Sequence, residues 1–192
     1  MTEAGLDLKS ALEQRGALLQ GHFRLSSGRH SDRFVQKFRI LEDPVLLESV
    51  ARELAERFRS LHPTIVVGAA VGGILLAYEV ARQLGTKAIF VEKEHGVPAL
   101  RRGFVLVPHD RVLLVEDVLT TGRSMRETIE VVQGTGASVV GLGVIVARAT
   151  IIPGETVQTH VLLDLPLQSY DEAGCPQCRA GEPLVDPGSR RA

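Results

Sequence analysis

The chain has 192 residues, enough for one domain with a full core and little more. Lys plus Arg (22) nearly balance Asp plus Glu (23), leaving a formal charge of −1, so bulk electrostatics draw the chain to neither nucleic acid nor an anionic membrane. A composition 44% apolar and 23% charged excludes disorder, and 4% aromatics with no Trp exclude a base-stacking platform and leave the core to aliphatic side chains.

Met1 to Lys9 carries no basic segment followed by an apolar stretch. No run approaches the roughly 18 apolar residues that span a bilayer, so a soluble, cytoplasmic protein is expected. Leu6 to Leu19 is predicted helical, with Leu8, Ala11, Leu12 and Leu18 on one stripe. Phe23 to Leu25 and Arg33 to Phe38 are predicted strands around a Ser-Ser-Gly turn. Asp43-Pro44 is an N-cap with proline at the first helical position. Leu47, Val50, Ala51, Leu54, Ala55 and Phe58 then recur at helical spacing.

From Thr64 onward the pattern alternates. Strands are predicted at Thr64 to Gly68, Lys87 to Val91, Arg111 to Val115, Ser138 to Ala147 and Thr159 to Leu163. Helices are predicted at Gly73 to Leu84 and Ser124 to Val132. Continuous aliphatic strands alternating with helices imply an α/β fold with a parallel sheet covered on both faces. Glu92 to Gly103 is long for an α/β connection and carries Lys93, His95, Arg101 and Arg102, so a mobile functional loop is expected there. The tail from Tyr170, rich in proline, is expected to be irregular.

The chemistry concentrates in Val112-Leu113-Leu114-Val115-Glu116-Asp117-Val118-Leu119-Thr120-Thr121-Gly122-Arg123-Ser124. A buried strand runs into two carboxylates, and a hydroxyl- and glycine-rich loop then opens a helix. At the C-terminal end of a parallel strand these groups lie where α/β ligands bind. The loop offers backbone N–H groups and the hydroxyls of Thr120, Thr121 and Ser124 to a phosphate, with the positive helix end behind them. Gly122 permits close backbone approach. Glu116 and Asp117 repel phosphate but suit ribose hydroxyls, or positive charge developing on the sugar ring. The combination fits a ribose 5-phosphate. No Walker pattern or G-x-G-x-x-G competes with it.

These thirteen residues resemble the phosphoribosyl pyrophosphate (PRPP) signature of the type I phosphoribosyltransferases. Further stretches resemble the orotate-specific members. Phe23-Arg24-Leu25-Ser26-Ser27-Gly28-Arg29-His30-Ser31-Asp32-Arg33-Phe34 is similar to the segment that closes over the pyrimidine. Val66 to Ile74 is similar to the pyrophosphate loop, Arg101 to Phe104 to the return from the catalytic loop, and Val144 to Arg148 to the strand whose terminal Arg meets the orotate carboxylate. The resemblance covers residues 23 to 148 in order.

It implies a type I phosphoribosyltransferase fold: a central parallel sheet flanked by helices (core about 43–165) and a small hood from about 1–40 and the C-terminal segment, all in one domain over 1–192. It implies transfer of 5-phosphoribosyl from PRPP to orotate with Mg²⁺ as cofactor, in a homodimer that shares the catalytic loop across subunits. For PRPP it points to Gly72, Gly73, Lys93, His95, Glu116, Asp117, Thr120, Thr121, Gly122, Arg123 and Ser124. Lys93, Glu116 and Asp117 are the catalytic candidates, with Lys93 neutralising the leaving pyrophosphate. For orotate it points to Ser26, Phe34, Thr120 and Arg148, with Arg148 pairing bidentately to the carboxylate. Ser26 and Gly72 stand where many members carry Lys, and the loop is shorter and less basic, which shifts phosphate affinity toward backbone N–H groups. A purine phosphoribosyltransferase and a PRPP-sensing regulator of the same fold are the alternatives.

Cys175 and Cys178 form half of a zinc site. Structural zinc takes four ligands, so His160 or a second chain would have to contribute. Two reduced thiols are expected, and no metal ligand is assigned.

Overall fold

The computed structural model describes residues 7–25, 27–148 and 157–187. Helix α1 (Leu8–Gln14) leads into β1 (Leu18–Arg24) and β2 (His30–Val35), an antiparallel pair that forms a separate two-stranded sheet. The predicted first helix is thus shorter than its apolar stripe. Gly16 takes φ +62° and ends the helix, and Leu18 and Leu19 pair with Val35 and Phe34 instead. The second predicted strand also stops early. Val35 faces Leu18, the first residue of β1, so pairing runs out and the chain turns into α2 (Phe38–Leu41).

Helix α3 (Pro44–Phe58) starts as its sequence dictates: the Asp43 carboxylate accepts from Val45 N at 3.0 Å and Leu46 N at 3.1 Å. Its apolar stripe, Leu47 to Phe58, is buried against the sheet. There follow β3 (Ile65–Ala69), α4 (Gly72–Leu84), β4 (Lys87–Glu94), β5 (Val97–Leu100), β6 (Arg111–Leu119), α5 (Arg123–Gln133), β7 (Ser138–Ala147), β8 (Thr159–Asp164) and α6 (Pro176–Arg179).

The main sheet has the order β5-β4-β3-β6-β7-β8, parallel throughout except for β4–β5. Alternation along β6 splits the core in two. Leu113 and Val115 face one cluster with α3 and α4, while Val112 and Leu114 face another with Met125 and Val132 of α5. From β3 the chain runs outward to β4, then returns to the other side of β3 as β6. That reversal makes a crevice at the carboxyl ends of β3 and β6, the place where open α/β sheets bind ligands.

The stretch expected to be a loop is a β-hairpin. β4 runs three residues further than predicted and turns at His95-Gly96, both at positive φ, into antiparallel β5. Charge pairs link its two sides: Arg102 forks onto Glu92 at 2.9 and 3.1 Å, and Arg101 pairs with Glu94. Among the described residues, no helix is long and apolar enough to cross a membrane.

Candidate active site

Strand β6 extends past the predicted Val115 because β7 continues beside it, pairing Glu116 with Val144 and Leu119 with Ala147. Both carboxylates therefore sit on a rigid strand end, buried, with Asp117 only 1% exposed. Asp117 is held from three sides. Its Oδ1 accepts from Val118 N at 2.6 Å, Lys37 Nζ lies 3.0 Å from Oδ2, and Gly72 packs so closely that a Cβ there would overlap Oδ2. Gly72 is thus the gap that admits Asp117 to the crevice. Gly73 packs on Gly68 of β3, so the start of α4 lies against the strand with no side chain between.

Lys37 was not among the residues the sequence singled out. Its partner Asp117 lies 80 positions away, and no local pattern marks it. The early end of β2 and the turn into α2 bring it to the crevice.

Glu116 is buried beside a second carboxylate. Burial first, and the Asp117 charge second, push its pKa from 4.5 up to about 8, against the opposing pull of Lys37. Folding therefore strengthens proton binding at Glu116. Between pH 4.5 and about 8 the folded state holds more proton than the unfolded one, so this residue makes stability fall as pH rises through that window. Glu116→Gln should remove the slope. Its Tm should match wild type near pH 4.5 and exceed it by about 3 °C or more at pH 8, measured without ligands. Parallel Tm–pH curves would show that Glu116 does not titrate there.

Beyond β6, Gly122 takes φ +70° and opens α5 without a side-chain cap. The first-turn N–H groups of the helix have no intrahelical partner, and Thr120, Thr121, Arg123 and Ser124 are exposed around them. This is the predicted phosphate cradle. Lys93 reaches it from the hairpin: its Nζ lies 2.5 Å from Glu127 Oε2, while Arg123 Nε lies 2.8 Å from Oε1 of the same residue. Lys93, and then Arg123, hold the Glu127 carboxyl below the usual carboxylate range. Two cations thus stand at the helix N-terminus. His95 is at the hairpin turn, further along.

Arg148 follows β7, and its backbone N–H donates to Leu119 O at 2.8 Å, which places it beside the end of β6 and next to Thr120. Among the described residues its guanidinium has no ion pair, and Nε is buried without a hydrogen-bond partner. Burial lowers its pKa. Phe34, on β2, is half-buried against Phe23, with ring centroids 5.8 Å apart. Ser26 lies outside the described residues.

Comparison with known proteins agrees with this geometry. The phosphoribosyl transferase domain family matches residues 39–151. Orotate phosphoribosyltransferase of Pelotomaculum thermopropionicum is 46% identical over 185 residues, covering 96% of this chain and 97% of its own. That of Desulforamulus reducens is 48% identical over 176 residues, 92% of each chain. The crystal structure of the Aeropyrum pernix orotate phosphoribosyltransferase superposes with a TM-score of 0.67 at 32% identity, over 82% of this chain and 93% of that one. With its PRPP signature at the sheet's reversal point and near-full-length relatives of one kind, the chain belongs to the orotate phosphoribosyltransferase family.

Proposed function

We infer that the protein transfers the 5-phosphoribosyl group from PRPP to N1 of orotate, giving orotidine 5′-phosphate and pyrophosphate for pyrimidine synthesis. The observation that carries the choice of base is Arg148. It is a guanidinium without a protein partner among the described residues, at a strand end beside the ribose-phosphate crevice, and a carboxylate on the base would satisfy it. Phe34, Thr120 and Ser26 are assigned to the base with it.

The N–H groups of Thr121 to Ser124 bind the 5-phosphate. Gly72 and Gly73 leave room for pyrophosphate to lie on the backbone at the start of α4, and Lys93, Arg123 and His95 supply positive charge. As the C1′–O bond breaks and pyrophosphate departs with its electron pair, the ribose gains cationic character. Asp117, anionic beside Lys37, stabilises that charge and Glu116 hydrogen-bonds the ribose hydroxyls, while N1 of orotate forms the new bond from the opposite face and releases its proton to solvent. Lys37 holds Asp117 in place through their ion pair.

The donor set fits a Mg²⁺ that arrives on PRPP. The crevice offers two carboxylates, one already paired with Lys37, and no cage of oxygen ligands among the described residues. When bound, Mg²⁺ neutralises the pyrophosphate oxygens.

We assign the protein to the cytoplasm and to a homodimer. An apolar stripe at α4 supports the dimer: Val71, Leu75 and Tyr78 are 69%, 48% and 66% exposed. A monomer at micromolar concentration in sedimentation would sink that part.

The activity is tested by supplying Mg²⁺ and PRPP with orotate, adenine, guanine or uracil and following nucleotide formation. Turnover with orotate alone is expected. Turnover only with a purine, or with no base, would overturn the assignment.

A further inference from the structure

The C-terminal tail returns to the hood and lies against its hairpin. Val185 bridges Phe23, Tyr170 bridges His30, and Arg29 pairs with Asp171. There the fold assembles four ligand-type side chains from three segments: His22 of β1, His30 of β2, and Cys175 and Cys178 at the start of α6. His22, His30 and Cys175 are 4%, 2% and 0% exposed. His160, one of the two partners the sequence left open beside a second chain, lies elsewhere: its ring packs against Phe58, centroids 5.2 Å apart.

We propose that His22, His30, Cys175 and Cys178 form a structural zinc site that fastens the tail to the hood.

The geometry is that of a tetrahedron's edges. His22 Nε2 lies 3.0 Å from His30 Nδ1 and 3.5 Å from each sulfur, and His30 Nδ1 lies 3.2 Å from Cys178 Sγ. All four ligand atoms fall within 4.8 Å of one another. Zinc bonds of about 2.05 Å to nitrogen and 2.3 Å to sulfur give tetrahedral edges of about 3.3 Å between nitrogens, 3.6 Å between nitrogen and sulfur, and 3.8 Å between sulfurs. Four of the six edges fall within a few tenths of an ångström of these values, and the other two do not exceed 4.8 Å.

Hydrogen bonding alone does not account for this convergence. His22 Nδ1 lies 2.9 Å from the Glu182 carbonyl, which can only accept, so Nδ1 carries the proton. Nε2 of the neutral ring then has one in-plane lone pair. Three groups crowd it, His30 Nδ1 and both sulfurs, and only one can donate to it. A cation at the centre accepts a lone pair from all four instead. The Glu182 carbonyl is also the outer partner that metal-bound histidines characteristically have, fixing both tautomer and ring orientation.

The ligand type selects the metal. Two thiolates and two imidazoles in a tetrahedral array suit Zn²⁺ and not Mg²⁺, so this site is chemically separate from the PRPP crevice. Two thiolates cancel the charge of the ion, which makes a neutral complex compatible with burial. Four protein ligands close the coordination sphere, so the role is structural. The ion would join residues roughly 150 positions apart, adding to two strand bridges, the Arg29–Asp171 ion pair and the hydrogen bonds of Arg29 and Ser31 to Ser169 and Gln168.

The test is metal analysis of the full-length protein, purified under reducing conditions and reconstituted with Zn²⁺. About one zinc per chain is expected, lost in the Cys175→Ser/Cys178→Ser double variant. Cobalt substitution should give the intense visible bands of a tetrahedral thiolate site, a readout on the wild type that does not depend on the variant folding. Chelation should lower Tm by about 10 °C or more. Three results would overturn the proposal: no bound metal after reconstitution, equal zinc in wild type and double variant, or a Cys175–Cys178 disulfide in protein prepared without oxygen.

Discussion

Gly68→Ala should destabilise the protein by about 3 kcal/mol or more, lowering Tm by roughly 6–12 °C. A Cβ at position 68 would overlap the Gly73 carbonyl and lie 2.5 Å from its carbon. Both are backbone atoms in regular elements, β3 on one side and the first turn of α4 on the other, so no side chain can swing away. Relief requires α4 to move off the sheet, which opens the pyrophosphate side of the crevice. The variant should therefore lose PRPP affinity along with stability. Thermal melts and KM for PRPP check it together. A wild-type Tm would show that the strand–helix contact is looser than described.

Arg148→Ala should raise KM for orotate by about 30-fold to 900-fold, the equivalent of 2–4 kcal/mol for a charged partner left unpaired. KM for PRPP should stay nearly constant, because Arg148 is assigned to the base and not to phosphate. Stability should move the other way. The guanidinium is part-buried, Nε has no partner among the described residues, and burial disfavours its charge, so the alanine variant without ligand should melt at or above the wild-type temperature. An arginine held by a structural ion pair would do the reverse, losing stability on truncation. Unchanged orotate KM, or a Tm several degrees lower, would remove the assigned role.

The site was legible where its residues are contiguous. Val112 to Ser124 carries strand, carboxylates, cradle and helix start in thirteen residues, so local chemistry and local geometry coincide. Gly72, Gly73 and Arg148, the candidates for pyrophosphate and base, were placed at the crevice for the same reason: each follows the end of a plainly apolar strand. The strand pairing of the hairpin was not read because Lys93, His95, Arg101 and Arg102 look like a basic loop in one dimension. Only the antiparallel return of β5, which ends with Leu100 opposite Val91, brings the following Arg101 and Arg102 within reach of Glu94 and Glu92.

By itself the sequence determined the alternating α/β pattern, the place of the candidate phosphate cradle between β6 and α5 and the near-neutral charge, since these rest on periodicity and on neighbours within a few residues. The tertiary structure decided three things that depend on long-range contact. It set Lys37 against Asp117, used Gly72 to admit that carboxylate, and gathered His22 and His30 onto the Cys175–Cys178 pair. Each joins segments with no shared local signal. Such partners are chosen by packing of the whole chain, where sheet order and strand length, not sequence distance, decide which side chains meet.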